Sequence, residues 1–132
     1  MKILIVDDEL VSRKKMQKIM ENFGTCESKQ NGIEAIDSFK KSLEFETPFQ
    51  LVTLDVEMPE MDGTEVLFEL RELEKKFQIS KHKSAKILMV TSHSERDTVI
   101  TSIQAGCDDY VVKPFNKDTI VQKMNGLGFN FS

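Results

Sequence analysis

The chain has 132 residues, enough for one domain with a single core, and its 39% hydrophobic and 30% charged residues are those of an ordinary globular protein. A net charge of −4 argues against non-specific binding to nucleic acid or to an anionic membrane surface. The first apolar run, Ile3–Val6, is too short for a signal-peptide core, and no stretch approaches the roughly 18 apolar residues of a membrane span. Cys26 and Cys107 lack metal-type spacing and fit free thiols in a reducing, cytoplasmic setting.

Ile3–Val6 reads as a strand buried on both faces, ending in Asp7, Asp8 and Glu9. Met16, Ile19, Met20 and Phe23 follow at helical spacing, with Gly24 placed to end the helix. Thr25–Lys29 is a more polar strand candidate, as an edge strand would be, and Gln30-Asn31-Gly32 is a turn. Ile33, Ile36, Phe39 and Leu43 mark a second amphipathic helix, and Pro48 breaks the chain before the run Leu51–Leu54, which stops at Asp55. Pro59, Asp62 and Gly63 supply turn chemistry ahead of a third helix carrying Val66, Leu67, Leu70 and Leu73. The charged face of that helix (Glu69, Arg71, Glu72, Glu74, Lys75, Lys76) is expected in solvent, and Phe77–Lys86 is a Lys-rich loop or helix extension.

Ile87–Val90 is another buried strand, ending at Thr91-Ser92. Ser94, with Glu95 and Asp97 in the first turn, is expected to cap a helix that reaches Ala105 and stops at Gly106. Tyr110–Val112 is a short strand ending at Lys113-Pro114, and Asn116 caps a last helix bearing Ile120, Val121 and Met124; Gly126 and Gly128 loosen the tail. Strict alternation of five strands and five helices predicts an α/β domain, a doubly wound parallel sheet with helices on both faces. No linker, repeat or low-complexity tract interrupts residues 1–132.

The carboxyl ends of these strands carry the chemistry. The first offers Asp7, Asp8 and Glu9, the third Asp55, the fourth Thr91 and Ser92, and the fifth Lys113. With strand order 2-1-3-4-5, the first and third strands are neighbours at the topological switch point, where ligands bind in such sheets. Crowded carboxylates repel, which raises the pKa of at least one and favours a divalent cation. All-oxygen ligands suit Mg²⁺ (or Mn²⁺), and Glu57 can join through its backbone carbonyl or its side chain. A carboxylate beside Mg²⁺ can attack a phosphoryl group, whose equatorial oxygens the cation, Lys113 and the Thr91 hydroxyl would share.

Each residue also has a plainer explanation. Asp7 and Asp8 can be acidic residues at a helix N-terminus, Thr91 a strand end, Lys113 a solvated lysine, and Asp55 the start of a loop. It is their joint arrival at corresponding strand ends that points to a site. Arg13, Lys14, Lys15 and Lys18 form a basic run, read as a solvated face or as a docking surface for a phosphodonor. Met58 and Met61 read as loop packing, His82 and His93 are too isolated for a metal pair, and Phe129 and Phe131 either pack back onto the domain or meet a partner.

The stretches I-L-I-V-D-D-E (3–9), L-D-V-E-M-P-E-M-D-G (54–63), V-T-S (90–92) and A-G-C-D-D-Y-V-V-K-P-F (105–115) closely resemble the receiver domain of two-component response regulators, in family order and spacing. The resemblance implies a flavodoxin-like (βα)₅ fold with Mg²⁺ near Asp7, Asp8 and Asp55. It implies that Asp55 is the phosphoacceptor, that Thr91 and Lys113 contact its phosphoryl group, and that Tyr110 is the switch aromatic. It also implies a cis Lys113–Pro114 bond, and that Glu57 and His93 occupy positions modulating hydrolysis of the aspartyl phosphate. Cys107, where Ala is more usual, is expected to matter for packing only, and Phe77–Lys86 is longer than usual.

The expected function is a stand-alone receiver with no output domain in residues 1–132. It would take a phosphoryl group from a sensor histidine kinase or phosphotransfer protein, lose it by hydrolysis, and signal to a downstream protein through the face Ser94–Met124, comprising the fourth helix, fifth strand and fifth helix. It would be a signalling protein that catalyses its own phosphorylation, with no direct contact to nucleic acid or membrane. Three rivals differ in class. A Mg²⁺-dependent phosphohydrolase with an aspartyl nucleophile would use the pair Asp55 and Glu57, yet has no room for a substrate cap and lacks the expected second Asp. A flavin- or nucleotide-binding domain needs a Gly- or Ser/Thr-rich loop where Asp7, Asp8 and Glu9 stand. An interaction module would work without phosphorylation.

Overall fold

The computed structural model describes residues 1–92 and 106–129. In chain order it contains β1 (Lys2–Val6), α1 (Leu10–Met20), β2 (Thr25–Lys29), α2 (Gly32–Glu44), β3 (Leu51–Asp55), α3 (Gly63–Lys76), a 3₁₀ turn (Lys81–Lys83), β4 (Lys86–Thr91), β5 (Asp109–Val112) and the C-terminal helix α4 (Lys117–Gly126). All strand pairs are parallel and the order is β2-β1-β3-β4-β5, as expected of the flavodoxin-like arrangement. The expected Ser94 cap, the helix reaching Ala105, His93 and Phe131 lie outside the described residues. Among those described, no helix is long and apolar enough to cross a membrane.

Alternate strand residues feed two apolar layers, as a sheet covered on both faces requires. Leu4, Val6, Val52, Leu54, Ile87 and Met89 face α2 and α3, where Phe39, Val66, Leu67 and Leu70 meet them. Ile3, Ile5, Leu51, Leu88, Val90 and Val111 face α1 and α4, against Met16, Met20, Ile120 and Met124. The apolar runs seen in sequence are continuous because both faces are buried. β2, at the edge, is partly exposed along its length and correspondingly polar.

Asn31, Asp62 and Asn116 cap α2, α3 and α4, each side chain accepting from the backbone N–H three residues on. Asn31 is thus a cap as well as a turn residue. Gly24 does not end α1, which stops at Met20; a Cβ there would collide with the backbone of Met1, so the glycine serves close packing beside β1. Ile33, assigned to the apolar face of α2, is 64% exposed. Gly128, with φ of 99°, closes a Schellman turn in which the Phe129 N–H donates to Met124, and Phe129 packs on the α1/α4 layer rather than trailing loose.

The largest departure from the expected pattern is on α3. Arg71 and Glu74 are not on a solvated face: Glu74 is only 4% exposed. Arg71 Nη1 donates to Glu74 Oε1 at 2.7 Å and to the Ala85 carbonyl at 2.8 Å, Nη2 to Asp108 Oδ2 at 2.8 Å, and Nε to the Gly106 carbonyl at 2.9 Å. The two carboxylates in turn accept from the Ala85 and Ile87 N–H groups, both at 2.7 Å. One guanidinium therefore ties α3 to the start of β4 and to the turn before β5. Arg71→Met is expected to cost about 3 kcal/mol in urea unfolding, because it leaves the buried Glu74 carboxylate without its cation. Lys41→Met, which breaks the exposed 3.0 Å pair with Asp37, should change stability little.

Candidate functional site

Sheet register assembles the site. Val6 pairs with Leu54, so Asp7 and Asp55 leave neighbouring strands side by side; Asp55 pairs with Val90 and Thr91 with Val112, which places Thr91 and Lys113 one step further along. Asp7, Asp55 and Thr91 are each 4% exposed or less, while Asp8 is exposed. One carboxylate oxygen from each of Asp7, Asp8 and Asp55 lies within 4.8 Å of the others. Lys113 Nζ stands 3.2 Å from Asp7 Oδ2 and 3.6 Å from Asp55 Oδ1.

The surroundings hold these groups in place. Asp7 Oδ1 accepts from the Glu9 N–H at 2.9 Å, and its backbone carbonyl accepts from Arg13 Nη1 at 2.8 Å. Gly63, the first residue of α3, abuts the carbonyl of Asp55 so closely that a Cβ would collide with it. The Gly63 N–H donates to the Val56 carbonyl at 2.8 Å, which folds the loop back under the site. The Lys113–Pro114 bond is cis.

Burial, then the charge of Asp7, pushes the Asp55 carboxyl up to about 8; Lys113 opposes this and Asp8 adds to it. For Lys113, burial favours the neutral amine, but the charges of Asp55 and Asp7 outweigh it and hold the ammonium above its ordinary range. Three carboxylates against one ammonium leave an excess of negative charge. Asp55 Oδ1 is buried and accepts no hydrogen bond from the described residues. Hard oxygen donors clustered around an unsatisfied acceptor fit a small divalent cation such as Mg²⁺.

A family model for the response regulator receiver domain matches residues 3–125. The chain belongs to the response regulator receiver family. It is 33% identical over 126 residues to the chemotaxis protein CheY of Bacillus subtilis, covering 94% of both chains. It is 36% identical to the transcriptional regulatory protein SrrA of Staphylococcus aureus over 95% of this chain, which spans about half (46%) of that longer protein. The receiver domain of the histidine kinase CKI1 from Arabidopsis thaliana, solved with Mg²⁺ and BeF₃⁻, superposes with a TM-score of 0.78 at 28% identity, covering 95% of this chain and 89% of that one.

In this receiver, Asp7, Asp8, Asp55 and Lys113 come together as the sequence implied, and Thr91 ends the adjacent strand. The Glu57 side chain is not in the carboxylate cluster; it reaches the hydroxyls of Thr91, at 3.1 Å, and of Ser92. Tyr110 pairs with Met89, two residues before Thr91, and is half-buried with Lys123 Nζ 5.1 Å from its ring centroid. The basic run on α1 is partly structural, since Arg13 holds Asp7 and Lys15 Nζ lies 4.8 Å over the Phe115 ring. Met58 is buried and Met61 packs on the core, as loop packing requires; Cys26 and Cys107 are free thiols. Sequence reading missed Arg13 as a brace and Gly63 as a close-packing residue. A lone Arg six residues from its acceptor carries no local signal.

Asp55 has a higher pKa folded than unfolded, so its ionisation costs native stability. That cost is absent below the unfolded value near 4, grows as pH rises, and levels off above about 8. In chelator, Asp55→Asn should therefore exceed the wild type in urea stability by a margin that widens from pH 5 to pH 8, reaching about 2–4 kcal/mol. Millimolar Mg²⁺ should reduce or reverse the gap by stabilising the wild type.

Proposed function

We propose that this receiver accepts a phosphoryl group on Asp55 from a phosphohistidine of a sensor histidine kinase or phosphotransfer protein. Asp7, Asp8, Asp55 and the backbone carbonyl of Glu57 would hold Mg²⁺ (or Mn²⁺). The observation that carries this reading is the buried Oδ1 of Asp55, which accepts no hydrogen bond from the described residues and is set among like charges with one ammonium 3.6 Å away. When bound, the cation supplies positive charge that lets Asp55 ionise near neutral pH and offsets the charge of an incoming phosphoryl group.

The chain's own groups do the rest. An Asp55 carboxylate oxygen forms the new bond to phosphorus. The bond from phosphorus to the donor imidazole nitrogen breaks, its electron pair stays with the imidazole, and that nitrogen takes up a proton. Lys113 and the Thr91 hydroxyl each take an equatorial oxygen of the transferring group, positioning it and spreading its charge. Hydrolysis then returns the carboxylate and releases phosphate. Thr91, drawn toward the phosphoryl group, biases Tyr110 and the surface of residues 94–124, so output passes through protein contacts as a population shift. Glu57 and His93 are the positions proposed to tune hydrolysis. The phosphohydrolase reading is weakened because Glu57, its second carboxylate, is taken up by Thr91 and Ser92.

Incubation with Mg²⁺ and a small acyl phosphate should give one phosphoryl adduct by intact-mass spectrometry. The adduct should vanish in Asp55→Asn, fall sharply in chelator, and form about 10²-fold more slowly in Lys113→Met. An undiminished adduct in Asp55→Asn would rule out this assignment.

A further inference from the structure

Glu57 lies two residues beyond Asp55, and its carboxylate is used in an unexpected direction. One oxygen accepts from the Thr91 hydroxyl at 3.1 Å and the other from the Ser92 hydroxyl. The Val56 N–H donates to the Val90 carbonyl at 2.8 Å, tying the residue before Glu57 to the residue before Thr91. Glu57 itself is exposed, whereas Thr91 is 2% exposed.

These facts define a competition. A hydroxyl has one proton to donate. Thr91 is buried, so its O–H exchanges one protein-held acceptor for another rather than for bulk water. If Asp55 is the phosphoacceptor, as proposed above, a phosphoryl oxygen and the Glu57 carboxylate contend for the same proton. We propose that Glu57 is a positioning residue: its carboxylate holds the Thr91 and Ser92 hydroxyls in the resting arrangement and sets how strongly a phosphoryl group must pull to move them. A bond to a charged carboxylate is stronger than one to a neutral acceptor, so the resting state is favoured without burying Glu57.

Two substitutions separate this role from simple charge repulsion. Glu57→Gln removes the charge but keeps an oxygen that can accept from Thr91, whereas Glu57→Ala removes both. The readout is binding of beryllofluoride, a phosphoryl mimic, in saturating Mg²⁺, followed by calorimetry. Glu57→Ala should bind about tenfold more tightly than Glu57→Gln, and that gap should close when Thr91→Ala and Ser92→Ala are added to each. Without any ligand, the Thr91 hydroxyl proton should exchange slowly in the wild type and in Glu57→Gln, and fast in Glu57→Ala. Equal affinities for the Gln and Ala variants, or a gap that survives loss of both hydroxyls, would overturn the inference while leaving Asp55 as phosphoacceptor. A wild type that binds no beryllofluoride would overturn both.

Discussion

The structure depends on one electrostatic constraint: a carboxylate buried at the end of a central strand beside two others, with one ammonium in reach. Asp55 sits there because β3 lies between β1 and β4 in parallel register, and Asp7 and Lys113 lie beyond the ends of β1 and β5. A hydrophobic sheet buried on both faces makes the crevice dry enough for these charges to matter. Neighbouring features keep the arrangement from relaxing. Arg13 and the Glu9 N–H fix Asp7, and Gly63 lets α3 press against the backbone of Asp55.

The opposite end of the sheet is an instructive contrast. Arg71, Glu74 and Asp108 are also charged, with Glu74 buried and Asp108 exposed, yet every guanidinium nitrogen donates and both carboxylates accept backbone N–H groups as well. That network joins opposite charges and backbone groups from three segments, so it ties α3 to the start of β4 and to the turn before β5. At the carboxyl edge, among the described residues, Asp55 Oδ1 is left without a hydrogen bond and three carboxylates face one ammonium. A buried group left unsatisfied is costly, and the cost is recovered only when something binds. Similar residue types thus divide into structure at one end and chemistry at the other.

Much of this was legible because the period of the pattern and the position of the punctuation agree. The runs at Ile3–Val6 and Ile87–Val90 are apolar throughout because both faces of the sheet are covered, and the acids, hydroxyls and lysine stand where those runs stop. Helix starts at Asp62 and Asn116 were readable as local chemistry. Arg71 and Glu74 were not, since charged residues on a helix look alike whether they face water or the Gly106–Asp108 turn, 35 to 37 residues away. The same holds for Ile33, whose place in the helical pattern predicts burial while α2 turns it outward.

What the sequence determined by itself is the alternation of strands and helices and the identity of the groups at the strand ends, because both follow from short-range periodicity and turn chemistry. The tertiary structure decided which of those groups meet and in what state. Only the register of β1 against β3 sets Asp7 beside Asp55, and only the resulting burial lifts the Asp55 carboxyl to about 8. Only the fold of the loop after β3 carries Glu57 away from the carboxylates and onto Thr91 and Ser92. Contacts between distant segments arise from packing and charge in three dimensions, and no local pattern records them.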